Sequence, residues 1–229
     1  MSPDTLPFFV ELERNNNRDW FLANKARWDA IRTEFTALTA QVIDALSPLD
    51  PTIGHPDPRR CVYRIYRDLR FSPDKRPYKT HIAFFLSSGG VKRSGAPGYY
   101  LQVGQSDYGL EEGCSLGGGI FMPDTATLAA IRQEIYYNYD EFRAIIDNPE
   151  YQRYFGDTFF TLGKLSRAPK GYPNDWEGVE WLKYKDYCTS YSLGRRDVES
   201  FHLLERVMEV FKACLPLNRF IQRAMGMEQ

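Results

Sequence analysis

The apolar residues Phe21, Trp28, Ile31, Phe35, Leu38, Val42 and Leu46 follow one another at steps of three, four and seven, which lines them along one stripe of a helix. The spacing predicts a long amphipathic helix from Asp19 to about Leu46, closed by Ser47-Pro48. Ahead of it, Leu6, Phe9 and Val10 with Glu13 predict a short helix, which the Asn15-Asn16-Asn17 run ends or re-caps because Asn favours turns and N-cap positions. Beyond the long helix, Pro48, Pro51, Pro56 and Pro58 predict a loop, since each fixes its own φ and pushes its predecessor out of the helical region.

The pattern then changes to one of β-prone residues. Cys61 to Arg67 mixes Val62 and Ile65 with Tyr63 and Tyr66, and His81 to Ser87 is an apolar run bounded by Gly89-Gly90. Tyr99 to Val103 and Ser115 to Phe121 complete an antiparallel meander. Pro123-Asp124 before Leu128, Ile131 and Ile135 predicts a capped helix, and Tyr139 to Ile146 another that stops at Asn148-Pro149. Alternation over Asp186 to Leu193 predicts a last strand, and Asp197 is placed to cap a closing helix through Phe201, Leu204, Met208 and Phe211. The order helix, strands, helices, strand, helix indicates the α+β class: an antiparallel β-sheet packed against several α-helices, including a long N-terminal and a C-terminal one. Without internal repeats or linkers, residues 1–229 are expected to form a single domain.

Composition narrows the function classes. A chain of 229 residues, 43% hydrophobic and 15% aromatic, can bury a large core. Its 29 Lys and Arg against 30 Asp and Glu argue against a strongly basic binder of polyanions, so any cationic surface is a patch. Cys61, Cys114, Cys188 and Cys214 lack the paired spacing of a metal site and read as buried free thiols. His55, His81 and His202 have no ligand spacing either, and no metal site is expected. With no signal-peptide pattern and no apolar run of membrane-spanning length, a cytoplasmic address without membrane contact is expected.

The densest chemistry is the run from Arg59 to Lys79, RRCVYRIYRDLRFSPDKRPYK, with eight Arg and Lys against two Asp. On an extended chain Arg64, Asp68 and Arg70 share one face, while Arg67 falls among Ile65, Leu69 and Phe71. A guanidinium there requires a partner, and Asp74 supplies one if Ser72 to Lys75 turns back. Arg64, Arg67 and Arg70 with Lys75 and Lys79 suit a multiply charged anion, because guanidinium binds carboxylate and phosphate in bidentate fashion. The competing reading is a salt-bridge lattice closed by Asp68 and Asp74. Tyr63, Tyr66, Phe71 and Tyr78, interleaved with the charges, weigh against a merely solvated surface.

A second cluster, Lys164, Arg167, Lys170, Lys183 and Lys185, surrounds a Pro169-Lys170-Gly171 turn, with Asp175, Glu177 and Glu180 near enough to neutralise it. Asn24 with Lys25 is a third candidate. Gly117-Gly118-Gly119 reads either as an anion-binding nest of amides or as close strand packing. His81 is the candidate catalytic imidazole, with Asp68 and Asp74 as candidate proton carriers. There is no P-loop, dinucleotide fingerprint or nucleophile elbow.

NNNRDWFLANK at 15–25, YRIYRDLRFSPDKRPYKTH at 63–81, GYYLQ at 98–102, GGGIF at 117–121, RAPKGYP at 167–173 and LKYKDY at 182–187 resemble the recurring segments of a bacterial family known as domain of unknown function 2461. The resemblance covers most of the chain and brings no activity, cofactor or catalytic residue with it. It groups Arg64, Arg67, Asp68, Arg70, Asp74, Lys75, Tyr78, Lys79, Lys170, Lys183 and Lys185 as one motif set. The expectation is that these cations converge on a pocket for a small phosphorylated or polycarboxylated ligand, in a binding protein or an enzyme. The alternatives are a non-catalytic nucleic-acid module, with Tyr63, Tyr66, Tyr78 and Tyr99 stacking on bases, and a structural salt-bridge network beneath a protein partner. Cofactor, substrate and oligomeric state are left open.

Overall fold

The computed structural model describes residues 1–70, 74–92, 95–105 and 113–227. The helices are α1 (Thr5–Arg14), α2 (Arg18–Ala23), α3 (Lys25–Leu46), α4 (Pro58–Cys61), α5 (Thr125–Tyr137), α6 (Tyr139–Ile146), α7 (Pro149–Phe155), α8 (Val179–Leu182), α9 (Arg195–Val198) and α10 (Leu203–Ala224). The strands are β1 (His81–Ser87), β2 (Gly90–Val91), β3 (Gly98–Gly104), β4 (Ser115–Ile120), β5 (Tyr187–Cys188) and β6 (Tyr191–Ser192). They form one sheet in the order β2-β1-β3-β4-β5, antiparallel throughout, with β6 also on β4. Among the described residues no helix is long and apolar enough to cross a membrane.

The α+β architecture is as the pattern predicts, and its local departures have physical causes. The stripe from Asp19 is divided at Asn24, whose side-chain amide donates to the Trp20 carbonyl at 3.0 Å and so ends α2 before α3 starts. Asn17 caps α2 by accepting the Trp20 N–H at 3.0 Å. Cys61 to Arg67 forms no strand, only single bridges from Val62 to Phe84 and from Tyr66 to Tyr78. Arg67 N–H donates to Pro77 and Lys79 N–H to Ile65, but Pro77 has no N–H to return and the ladder stops. The strand expected over Asp186 to Leu193 is interrupted at Thr189, whose hydroxyl accepts the Gly118 N–H at 2.8 Å. Asp197 lies inside α9 rather than capping the closing helix, and Phe201 is fully exposed before α10.

One apolar cluster runs from Phe8 to Ile221. The inward strand residues Ile82, Phe84 and Leu86 of β1 and Tyr99, Leu101 and Val103 of β3 are buried in it, with Phe35 of α3 5.7 Å from Phe84 and Phe211 of α10 5.2 Å from Tyr99. Removing an aromatic side chain of this size from water contributes about 1.5–3 kcal/mol. Helix α10 comes closest at β4, where a Cβ on Gly118 would lie 2.6 Å from the Cys214 sulfur. Fully buried Asn218 then reaches two strands: its Oδ1 accepts the Gly119 N–H at 2.7 Å and its Nδ2 donates to the Gly98 carbonyl at 3.1 Å.

Asn218→Ala strands both backbone groups in the core, each costing about 1–3 kcal/mol. Urea denaturation is expected to show a loss of about 2–5 kcal/mol, and a loss well under 1 kcal/mol would show that the two strand ends do not depend on this side chain.

Candidate functional site

The charged segment folds as a self-paired hairpin. Arg67, half-buried, places Nη1 2.9 Å from Asp74, the partner its apolar surroundings demanded, and Arg76 reaches the same carboxylate at 2.8 Å. The intervening residues 71–73, including Phe71, lie outside the described residues. Arg70 grips Asp68 at 2.7 Å, and Lys75 donates to the Leu69 carbonyl at 3.1 Å. The hydrogen bonds from Arg70 hold the Asp68 carboxyl well below the usual carboxylate range, and those from Arg76, aided by Arg67, do the same for Asp74. Each is thus an anion committed to a guanidinium, which ill suits a proton carrier.

The three asparagines explain the hairpin's position. Asn15 closes α1, Asn17 opens α2, and Asn16 grips the main chain of Tyr78 twice, donating to its carbonyl at 2.9 Å and accepting its N–H at 3.0 Å. The buried Tyr78 ring stacks on Phe21 at 4.1 Å between centroids.

The predicted cations do not meet in one hollow. Arg64 is exposed and makes no ion pair among the described residues. Lys170 projects from a turn at Gly171, and Lys185 lies exposed beside Gly163. Lys183 pairs with Glu180, which also holds Lys164 at 3.3 Å. Asn24 bonds Arg27 between α2 and α3. The four tyrosines proposed to stack on bases form no exposed platform: Tyr66 is exposed but leans on buried Tyr78 at 5.5 Å, Tyr63 lines a cleft described below, and Tyr99 is buried with its hydroxyl donating to buried Asp50 at 2.9 Å.

A cleft of about 460 Å³ instead occupies the sheet face turned away from α10. Strand register builds it. Phe85 stands opposite Tyr100 and Tyr100 opposite Gly117; the adjacent rows are Ala83, Gln102 and Ser115, then Ser87, Gly98 and Gly119. His81 lies on this face at the start of β1. The Tyr100 hydroxyl donates to Gln102 at 2.7 Å, and the Gln102 amide donates to the Gly113 carbonyl at 2.9 Å, so that polar floor is already engaged. The Phe85 ring lies where a Cβ on Gly98 would be, 2.8 Å away.

The glycine run is close strand packing. A Cβ on Gly119, whose φ is +107°, would stand 1.9 Å from the Tyr187 carbonyl, and one on Gly117 2.1 Å from that of Thr189. The amides of Gly118 and Gly119 are spent on Thr189 and Asn218, not on a nest.

At the β1 rim, the Lys79 and Lys92 ammoniums each lie 4.9 Å from the centre of the Tyr63 ring. Lys92 also donates to the Val62 carbonyl at 3.0 Å from a left-handed backbone, φ 47°. Burial brings its ammonium below the ordinary lysine value. At the opposite rim Phe121 and Phe160 pair at 6.2 Å. Cys188 lines the wall there; the residue is half-buried, yet its thiol is desolvated enough to be pushed well above its ordinary value and is no thiolate at neutral pH. Among the described residues no group of three His, Cys, Asp or Glu is placed to hold a metal.

Of the predicted site residues, Lys79 and His81 line the cleft. Lys92 was missed because nothing marks it in a Gly-rich hairpin. Tyr100 and Gln102 were missed as well; the signal that could have found them is the alternation of GYYLQ, which sets them on the face opposite Tyr99 and Leu101.

A family model described as "Conserved hypothetical protein (DUF2461)" matches residues 4–220. No curated protein and no solved structure matches the chain.

Because Arg64 is exposed and the Arg70–Asp68 pair is exposed and local, Arg64→Ala and Arg70→Ala are expected to change stability by no more than about 0.5 kcal/mol. Thermal melts of the two variants check this, and unfolding of either would restore the salt-bridge lattice as a structural necessity.

Proposed function

We propose that this chain, which belongs to the conserved hypothetical family DUF2461, binds a small phosphorylated or carboxylated ligand in the cleft, with Lys79 and Lys92 as its anion contacts. The observation that carries the reading is the gathering of two ammoniums on one tyrosine ring at the rim of a hollow. A ring face attracts each cation by about 0.5–1 kcal/mol, so Tyr63 offsets part of their mutual repulsion and keeps both at the opening. The volume falls within the range of about 300–1,000 Å³ usual for small-molecule sites. The strained φ of Lys92 fits a position held for binding rather than for folding, as such strain concentrates at ligand sites.

The chemistry that follows is anion capture in a partly desolvated setting. Charge-assisted hydrogen bonds to ammonium contribute about 1.5–3 kcal/mol. His81, on the cleft floor, adds an imidazole within the same hollow. The burial of Tyr78 and Tyr99 favours this reading over base stacking.

Titration calorimetry with inorganic phosphate and citrate tests it. Lys79→Met and Lys92→Met are each expected to weaken binding by about tenfold or more. Wild-type protein that binds neither anion, or binding indifferent to both substitutions, would remove the proposal. The pH dependence has a definite sign. Desolvation puts Lys92 below the ordinary 10.5, so its charge, and with it affinity, falls as pH rises through that lowered value. Lys92→Arg, which stays protonated, is expected to carry binding to higher pH.

A further inference from the structure

The two rims of the cleft differ in chemistry, and we infer from this that its ligand is an amphipathic anion with an unbranched hydrocarbon tail, lying across the strands with its charged end at Lys79 and Lys92. This rests on the anion-binding reading above and specifies the ligand's other end.

The rim facing the lysines carries Phe121 and Phe160, and the residues flanking them, Met122 and Leu162, extend an exposed apolar surface outward from it. Phe121 is 39% exposed, Met122 68% and Leu162 58%, whereas the large apolar side chains of the core are buried. Their grouping is built. Asp186, buried at 3% exposure, accepts the Met122 N–H at 2.7 Å, the Thr161 hydroxyl at 2.8 Å and the Leu162 N–H at 3.3 Å, which holds the two apolar loops side by side. Met122 is fixed there with a left-handed φ of 50°, a conformation a methionine adopts only under constraint.

The path between the rims is continuous. Tyr63 hydrogen-bonds to the outer edge of β1 and Phe160 to β5, with β3 and β4 between them. At roughly 4.8 Å per strand the rims stand on the order of 20 Å apart. Phe85 and Tyr100 lie along that path, and beyond them the lining passes to the backbone of Gly117 and Gly119 with Thr189 packed against it. The middle offers little to a nucleobase, because the Gln102 amide is taken up by Tyr100 and Gly113. An alkyl tail asks for no hydrogen bonds, and the paired Phe121 and Phe160 rings at the far rim give it apolar contact.

Methyl-, butyl- and octylphosphonate, which share one head group, separate the two ends in calorimetric titrations below micelle-forming concentrations. Affinity is expected to rise by up to about fourfold per methylene buried. Phe121→Ser with Leu162→Ser should abolish most of the gain between butyl and octyl while leaving methylphosphonate binding within twofold, whereas Phe201→Ser, at an exposed ring outside the cleft, should change neither. Methylphosphonate binding that depends on Lys92, with no gain along the series, would overturn the tail and leave the anion site standing. Phenylphosphonate bound as tightly as octylphosphonate would replace the tail by a compact ring and overturn the inference. Octylphosphonate binding unaffected by Lys79→Met and Lys92→Met would overturn both readings.

Discussion

The contact on which the rest of this structure depends is that of helix α10 against the bare backbone of β4. Glycine at 118 lets the helix approach until the Cys214 sulfur fills the space a side chain would occupy. At that range Asn218 can serve both β3 and β4 from within the helix, satisfying main-chain groups at the sheet end that water cannot reach. Glycines 117 and 119 play the same part toward the neighbouring strand, so three successive residues admit three close approaches. The sheet is thereby pressed against its helical layer from one side, and its other face is left to form a hollow.

That asymmetry explains why the charges and the cleft are separate. Most of the basic side chains between Arg59 and Lys79 belong to a hairpin that stabilises itself with Asp68 and Asp74. Lys79 lies at its end, where the chain turns into β1, and there it meets Lys92 from the following hairpin over Tyr63. The hollow takes its chemistry from residues at strand ends and loops, with the strands themselves contributing a flat floor.

Legibility followed the range of the interaction involved. Helix stripes and the three central strands were readable because their signals are local periodicities, and the partner of Arg67 was readable because a charge among Ile65 and Leu69 has few ways to be satisfied. The division at Asn24 was not, since Phe21 and Trp28 keep the same phase whether one helix or two carries them. The interruption at Thr189 depends on a hydroxyl finding Gly118 from 71 residues away. Convergence of cations failed for a similar reason: closeness in sequence says where guanidinium groups start, not where their tips lie, and the rim lysines are joined through Tyr63 by cross-strand register.

The grip of Asn16 on Tyr78 reaches further than the hairpin it holds. Tyr78 is bonded at both main-chain groups and its ring is clamped on Phe21, so the next residue, Lys79, leaves from a fixed pivot. One mouth of the hollow is therefore moored to the N-terminal helices, while its other lysine is tied to the Val62 carbonyl and leaves a hairpin whose Gly89 N–H donates to Thr52 at 3.0 Å and whose Ser88 hydroxyl accepts from Gln222 of α10 at 2.7 Å. The two jaws are thus anchored to different helices, one to α2 and the other to α10, so a guest entering between them would meet charges whose spacing is set by how those helices sit on the sheet.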